Sequence, residues 1–576
     1  MKYAVIVDAG SSGSRVYVYT WPDPAQYLEA VGKSSAVAKT LLPIETKPEW
    51  VYKVKPGISS FAGKTDEIWR SHLLALVEKA HQAVPKQDRP YTPFYFLATA
   101  GLRLTPEPER KKILDTVCSE VRKHTSFYLP ECETHVAMID GQTEGLYGWL
   151  GLNYLVHTHL NLEWSDFTKT YGFMDMGGAS AQVAFAPSLS EAERHHDDLY
   201  TINVRTIGGD PVNWKVFVTT WLGFGANQAQ SRYRQSILES LDEKYWEPLK
   251  NGAPLVAPDP CLQPAAMDVQ MQKLEGYDQP QEVVYFGTGD YDACKTALEP
   301  LLNSGIPCKD EPCLFNGIHV PAFDLEHDKF VGVSEYWYST SDLFALDGKM
   351  DYATFVDRTQ NFCTTNWRDI ADKYDHGDFG TNFDLETLKK ACFKASWVLE
   401  ILTKGFNFPL DPKDPASKHN FLDTFQSASD IGGKDLTWTL GRAVLYASSQ
   451  IEAADTYKVG YAGYEQDWVS GGELPGVMSN EEYFAATSGY SKLWLFPMLG
   501  VFLFLYAVLA GRTGTKYLPA FVRNRLGQYA KIPKSPSLPV FESANDIPLQ
   551  EYPHTTSWTP PSRVSSRINM RDWENQ

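Results

Sequence analysis

Tyr3-Ala-Val-Ile-Val-Asp-Ala-Gly-Ser-Ser-Gly-Ser-Arg-Val-Tyr-Val-Tyr19 is the stretch whose reading decides the fold. Residues 4–7 form the apolar run of a buried strand that ends at Asp8. Small residues over 10–14 turn the chain, and Val16, Tyr17, Val18 and Tyr19 resume a strand. The pattern predicts a β-hairpin whose tip bares consecutive backbone N–H groups. Such a tip suits phosphate, because glycine lets the backbone come close and successive amides form an anion-binding nest. Ser11, Ser12 and Ser14 can add hydroxyl donors around Gly13, and Asp8 can hold a divalent cation directly or through water. An ordinary serine-glycine turn without a ligand reads the same way.

A second copy separates the two readings. Gly172-Phe-Met-Asp-Met-Gly-Gly-Ala-Ser-Ala-Gln-Val-Ala-Phe185 repeats the plan: an apolar strand, Asp175, a tip of Gly177, Gly178, Ala179 and Ser180, then a return strand. Two hairpins with an aspartate at the same offset predict two similar α/β lobes that clamp a polyphosphate between their tips.

Between the hairpins, strands alternate with helices. A loop over 55–63 leads into a helix over 66–84, with Ile68, Leu73, Leu76, Val77 and Ala80 mainly on one face and Pro85 as its stop. Residues 93–98 read as a buried strand entering a small-residue turn at Thr99, and a helix over 106–125 follows. This alternation implies βαβ-type packing with site residues at strand ends. A strand over 135–139 then feeds a helix that opens at Asp140-Gly-Gln-Thr-Glu144, which puts Glu144 in the first helical turn. A carboxylate there can act as general base on a water near a bound phosphate. The bland alternative is a capping glutamate stabilised by the helix dipole; beside two phosphate hairpins, the base is the reading carried forward. Further on, 221–229 turn into a helix, and Glu335-Tyr-Trp-Tyr338 gathers aromatic rings that can stack on a nucleobase or simply pack. A helix starting over 436–446 returns to the first lobe. The resulting division is lobe I over 1–170, lobe II over 171–435 and the return segment over 436–480.

The 576 residues suffice for more than one core. A formal charge of −18 argues against a nucleic-acid partner. Residues 493–511 form an uncharged apolar run of nineteen residues, close to the roughly 20 that span a bilayer. The run starts after Lys492; residues 472–491 hold Glu473, Glu481 and Glu482 but no Lys or Arg, whereas Arg512, Lys516, Arg523, Arg525, Lys531 and Lys534 follow it. The positive-inside rule therefore places the tail, 512–576, in the cytosol and the large domain across the membrane. That tail, rich in proline, serine and threonine, is expected to be disordered. No conventional signal peptide precedes the first strand.

Eight cysteines at 118, 132, 261, 294, 308, 313, 363 and 392 fit a disulfide-permissive compartment. They allow roughly a hundred connectivities; sequential pairing is the expectation, with Cys308–Cys313 its firmest member. No Cys/His cluster has zinc-like spacing, and no Asn-x-Ser/Thr sequon is present.

Five blocks carry a family resemblance: Val7-Asp-Ala-Gly-Ser-Ser-Gly-Ser-Arg15, Ala98-Thr-Ala-Gly-Leu-Arg103, Gly141-Gln-Thr-Glu-Gly145, Asp175-Met-Gly-Gly-Ala-Ser-Ala-Gln182 and Trp438-Thr-Leu-Gly441. Together they resemble the apyrase, or nucleoside triphosphate diphosphohydrolase, family, and the membrane layout looks like that of fungal Golgi apyrases. The resemblance implies two ribonuclease-H-like lobes of the actin/Hsp70/sugar-kinase superfamily. By motif, Glu144 would activate the attacking water, with Ser180 and Gln182 orienting it. The loops Ser11 to Ser14 and Gly177 to Ala179 would bind phosphates, and Thr99 and Arg103 would shape the phosphate end. Asp8 and Asp175, helped by Trp438, would position a hydrated Ca²⁺, Mg²⁺ or Mn²⁺. Tyr338 is the base-binding candidate.

The implied activity is hydrolysis of nucleoside di- and triphosphates (GDP, UDP, ADP, ATP) to monophosphate and phosphate. The implied setting is a single-pass Golgi membrane protein with its catalytic domain in the lumen, clearing the diphosphates that glycosyltransferases release. A basic, disordered tail offers itself to cytosolic regulators. Two rivals stand beside this reading. One is an exopolyphosphatase or guanosine-pentaphosphate phosphohydrolase; the other is an actin- or Hsp70-like nucleotide-gated switch, which would turn over slowly.

Overall fold

In a computed structural model the described residues are 1–164, 169–325, 327–409, 424–452, 455–464 and 466–472. The expected span at 493–511 and the tail beyond it lie outside them. Among the described residues no helix is long and apolar enough to cross a membrane.

The first hairpin forms as β1 (Lys2–Ala9) and β2 (Ser14–Trp21). It joins β3 (Tyr52–Val54), β4 (Phe94–Ala98) and β5 (Val136–Met138) in a five-stranded sheet of order β3-β2-β1-β4-β5. β2 is antiparallel to β1 and β3, whereas β4 and β5 run parallel to β1. The second hairpin is β6 (Gly172–Met176) and β7 (Ser180–Phe185), followed by β8 (Leu199–Arg205) and β9 (Pro211–Leu222). A separate three-stranded sheet contains β10 (Leu255–Asp259), β11 (Met267–Gln272) and β12 (Gln281–Gly287). β13 (Phe330–Ser334) and β14 (Phe425–Ser427) extend the second main sheet on one side, and beyond β8 the short strands β15 (Gly460–Ala462) and β16 (Val469–Ser470) extend it on the other, eight strands in all.

The order β9-β7-β6-β13-β14 in that sheet repeats β3-β2-β1-β4-β5, with the same strand senses. The doubling inferred from two short hairpins therefore extends to five strands of each sheet.

Strand alternation sorts the core into layers. From β1, Val5 and Val7 pack outward under the helices Leu74–Ala83 and Glu107–His124, while Ala4 and Ile6 face the centre. From β6, Phe173 faces the centre, and Met174 and Met176 face the outer side of the second lobe. Two helices, Gly141–Leu160 and Trp438–Ser449, fill the central layer. The second of these ties back to lobe I, where Tyr19 and Thr439 share a hydroxyl hydrogen bond of 2.7 Å.

Four disulfides join Cys118–Cys132, Cys261–Cys294, Cys308–Cys313 and Cys363–Cys392, the sequential set, and no described cysteine is free. Local pairing is what short separations favour, since each loop closes at a small entropic cost.

Candidate active site

The two hairpin tips face each other: a Cβ built on Gly178 would stand 2.5 Å from Ser11 Oγ. In the first tip the Gly10 amide donates to the Gly13 carbonyl at 3.0 Å. The amides of Ser11, Ser12 and Gly13 are left without a backbone acceptor among the described residues. In the second tip the carbonyls are occupied. Ala226, Asn227 and Gln228, the first turn of the helix Ala226–Ser240, donate to Gly177 and Gly178 at 2.9–3.0 Å, and Gly223 donates to Ala179 at 2.8 Å. The helix thus satisfies its own orphan donors on the tip carbonyls, which leaves the Gly178 and Ala179 amides for an anion.

Ser14 departs from expectation. Its side chain is fully buried and its hydroxyl is shared with His72 Nε2 at 2.7 Å. Ser14 has the strand parity of Val16 and Val18, which point to the outer helices, so its hydroxyl points away from the facing tips. Burial pushes the His72 imidazole down to about 4, so that ring is neutral.

Glu144 lies in the first turn of its helix, whose Asp140 cap accepts the Thr143 amide at 2.6 Å. Its Oε2 accepts from Arg103 Nη2 at 2.7 Å and from Gln182 Nε2 at 3.0 Å, and Gln182 Nε2 also reaches Ser180 Oγ at 2.8 Å. One chain of contacts, Arg103–Glu144–Gln182–Ser180, therefore joins the two lobes and leaves Glu144 Oε1 for a water. Burial pushes the Glu144 carboxyl up, and the Arg103 charge and hydrogen bond act against that. Arg103 also donates to the Ile139 carbonyl at 2.9 Å. Nε and Nη2 of the guanidinium are thus taken by the end of β5 and by Glu144, so Arg103 reaches the phosphate end chiefly by positioning Glu144. Thr99 sits beside the first tip, its amide donating to Ala9 at 3.2 Å.

The aspartates expected to serve a metal are under electrostatic stress. Asp8 and Asp175 are each pushed up to about 7, first by burial and next by the Glu144 charge. Asp175 Oδ1 is buried without a hydrogen-bond partner, as are Gln182 Oε1 and Thr220 Oγ1. Packed carboxylates with orphaned oxygens fit a divalent cation, which supplies the positive charge the site lacks. The three carboxylates do not converge tightly enough to ligate one ion directly; the only such group of three among the described residues lies elsewhere, at His195, Asp198 and His319. A hydrated cation is what the spacing fits.

The sequence reading did not assign Lys53, Ser334 or Thr220. Lys53, exposed on its edge strand, pairs across from Arg15 in the β2–β3 register, and the facing Arg15 charge pushes its ammonium down. Ser334, which holds the Asp175 carboxyl down against burial, has a left-handed backbone (φ 58°, ψ −119°). Such strain is held in place by surrounding structure and collects at functional sites. Tyr338 is half-buried near Arg15 and Tyr17, with its phenol pushed up to about 12 by burial. Trp438 is buried in the central core and stacks on Tyr147, with centroids 6.5 Å apart.

Residues 1–459 match the GDA1/CD39 (nucleoside phosphatase) family. Among curated proteins, the Golgi apyrase of Saccharomyces cerevisiae is 40% identical over 477 residues, covering 81% of this chain and 73% of that one. The Golgi apyrase of Schizosaccharomyces pombe is 37% identical, covering 81% and 78%. The nucleoside-diphosphatase mig-23 of Caenorhabditis briggsae is 32% identical, covering 77% and 76%. Among solved structures, a nucleoside triphosphate hydrolase from Neospora caninum aligns with a TM-score of 0.45 at 14% identity, covering 78% of this chain and 94% of that one.

Proposed function

Because the chain belongs to the GDA1/CD39 (nucleoside phosphatase) family, it is a nucleoside phosphatase, and we propose that the facing tips and Glu144 are where it hydrolyses nucleoside di- and triphosphates. In this reading the amides of Ser11, Ser12, Gly13, Gly178 and Ala179 hold the phosphate oxygens, with Thr99 and Gly177 shaping the loops that carry them. A water held by Ser180 and Gln182 attacks the terminal phosphorus while its proton passes to Glu144 Oε1. The new P–O bond forms as the bridging P–O bond breaks, and the shortened nucleotide leaves with inorganic phosphate. Arg103 and Gln182 fix the other carboxylate oxygen, so Glu144 has one orientation and one free oxygen.

Asp8 and Asp175 would hold a hydrated Ca²⁺, Mg²⁺ or Mn²⁺, with Trp438 walling that side through Tyr147; when bound, the ion neutralises phosphate charge. Arg15 supplies fixed positive charge beside the first tip, and Tyr338 next to it is the candidate wall for the base. The two sheets of like order are the paired ribonuclease-H-like lobes of the actin/Hsp70/sugar-kinase superfamily.

The relatives named Golgi apyrases support a Golgi location, with 493–511 as the anchor, the catalytic domain in the lumen and 512–576 facing cytosolic regulators. There the enzyme would clear the diphosphates left by glycosyltransferases. The observation that carries the reading is Glu144 Oε2 bonded at once to Arg103 and Gln182, one from each lobe. The test is phosphate release from a panel of nucleoside di- and triphosphates and long-chain polyphosphate, with and without chelator. Preference for polyphosphate, or slow single-turnover hydrolysis, would move the reading to one of the rivals.

A further inference from the structure

We propose that His195, Asp198 and His319 form a structural zinc site, separate from the hydrolytic centre, that fastens the Cys308–Cys313 turn to the far end of the second sheet. The ligand atoms of these three residues lie within 4.8 Å of one another. Asp198 Oδ2 is 3.5 Å from His319 Nε2 and 3.9 Å from His195 Nδ1. Ligands at zinc distances in a tetrahedral shell stand roughly 3.3–3.5 Å apart, so Asp198 and His319 already have that spacing and the His195 ring has to move inward.

Proton placement favours a cation. His319 Nδ1 is 2.9 Å from the Asp310 carbonyl, which can only accept, so Nδ1 carries the hydrogen. In the neutral ring the Nε2 lone pair then points at a carboxylate, and Nε2 is buried with no hydrogen-bond partner. His195 is held more loosely: its Nε2 lies 3.6 Å from Glu191 Oε2, just beyond hydrogen-bond reach, and that oxygen accepts the Ala322 amide at 3.0 Å. His319 thus has a hydrogen-bonded outer acceptor behind the nitrogen that faces away from Asp198, as metal-bound imidazoles do, and Glu191 stands in the corresponding place behind His195. Asp198 is 35% exposed at its side chain, which leaves a fourth position open to water.

The position argues for structure rather than catalysis. Ser180 pairs with Leu222 at one end of the β7–β9 ladder, whereas Phe185, Phe217 and Leu199 align at the other, next to Asp198. Five residues of strand put the site roughly 17 Å from Ser180. His319 bridges to Cys313, inside the turn that the disulfide closes. Sequence spacing hides the site, because His319 is far along the chain from the His195/Asp198 pair.

The test uses full-length protein stripped of metal and titrated with cobalt chloride, then zinc chloride, in an Asp175→Asn background that disables the catalytic cation site. The expected result is one tightly held equivalent, visible d–d bands of tetrahedral cobalt that zinc abolishes, and a raised melting temperature. His195→Ala and His319→Ala should abolish the bands. Glu191→Gln, which leaves all three ligands in place, should weaken zinc about 10–100-fold. If His319→Ala does not fold, Glu191→Gln still decides. Absence of a stoichiometric equivalent, or undiminished binding in His195→Ala and Glu191→Gln, overturns the proposal.

Discussion

Replacing Asp175 with asparagine should stabilise the metal-free protein, although it removes a residue at the heart of the site. Asp175 has a buried, unpartnered Oδ1 and a carboxyl raised from 3.8 to about 7 by burial and by Glu144. Between these two values the folded state binds more protons than the unfolded state. The contribution of this group to stability is therefore greatest in acid and is lost as pH rises from about 4 to 7. At about 1.4 kcal/mol per decade, the ionised carboxyl opposes folding by about 4 kcal/mol above neutrality. Asparagine is a near-isostere of the protonated acid, so Asp175→Asn should recover about 2–4 kcal/mol at pH 7.5. At roughly 2 cal/mol/K of unfolding entropy per residue, a domain of this size should melt about 2–4 °C higher.

The assay is thermal unfolding with chelator at a series of pH values, then with added Mg²⁺ or Ca²⁺. The gap between variant and wild type should shrink as pH falls toward 4. Cation should stabilise the wild type, by about 2.7 kcal/mol at a hundredfold excess over its dissociation constant, and leave the variant unmoved. A variant less stable than wild type in chelator at pH 7.5, or a gap that ignores pH, would refute the account of Asp8 and Asp175 as acids waiting for a cation.

Glu144→Gln should lower kcat by at least about 10³-fold while nucleotide binding survives, because the amide keeps an acceptor for Arg103 but cannot take a proton; equilibrium binding and phosphate release separate the two effects. The same change removes a charge that raises both aspartates, so cation binding should extend to lower pH. Arg103→Ala leaves Glu144 buried without its cation and should cost about 3–5 kcal/mol in urea unfolding; Arg103→Lys should restore part of it. Gly178→Ala places a methyl 2.5 Å from Ser11 Oγ and 2.8 Å from Asn227 Nδ2, so both side chains must turn aside and the methyl fills the gap between the tips. KM for diphosphates should rise about tenfold or more with little change in melting temperature, and an unchanged KM would mean that the tips do not close on phosphate.

The hairpins, the Glu144 helix and the disulfide pairs were legible because each is decided by neighbours along the chain. Glycine-rich tips and a carboxylate just after a strand are local patterns, and all four disulfides join cysteines no more than 33 residues apart. Ser14 was not legible: both faces of β2 are buried, so alternation alone did not say which face meets the helices and which the centre. Arg103 carries a charge suited to phosphate, and only the fold shows that Glu144, 41 residues on, claims it. Lys53 needed the register of a three-residue edge strand, and Ser334 a left-handed backbone that serine rarely adopts.

What brings Glu144 between the lobes is its helix rather than either hairpin. Gly148 sits where a Cβ would fall 2.1 Å from the Phe173 ring on β6, two residues before Asp175. On another side, a Cβ on Gly441 would fall 1.8 Å from the Tyr147 carbonyl, so the Trp438–Ser449 helix lies directly against the Glu144 helix. Glycine inside a helix costs about 0.5–1 kcal/mol relative to alanine. Here that cost is offset by contact on two sides, with the second sheet and with the helix that Tyr19 ties to the first. The base is thereby held by the same layer that holds the lobes together, so a motion that separates the tips must also work against this central packing.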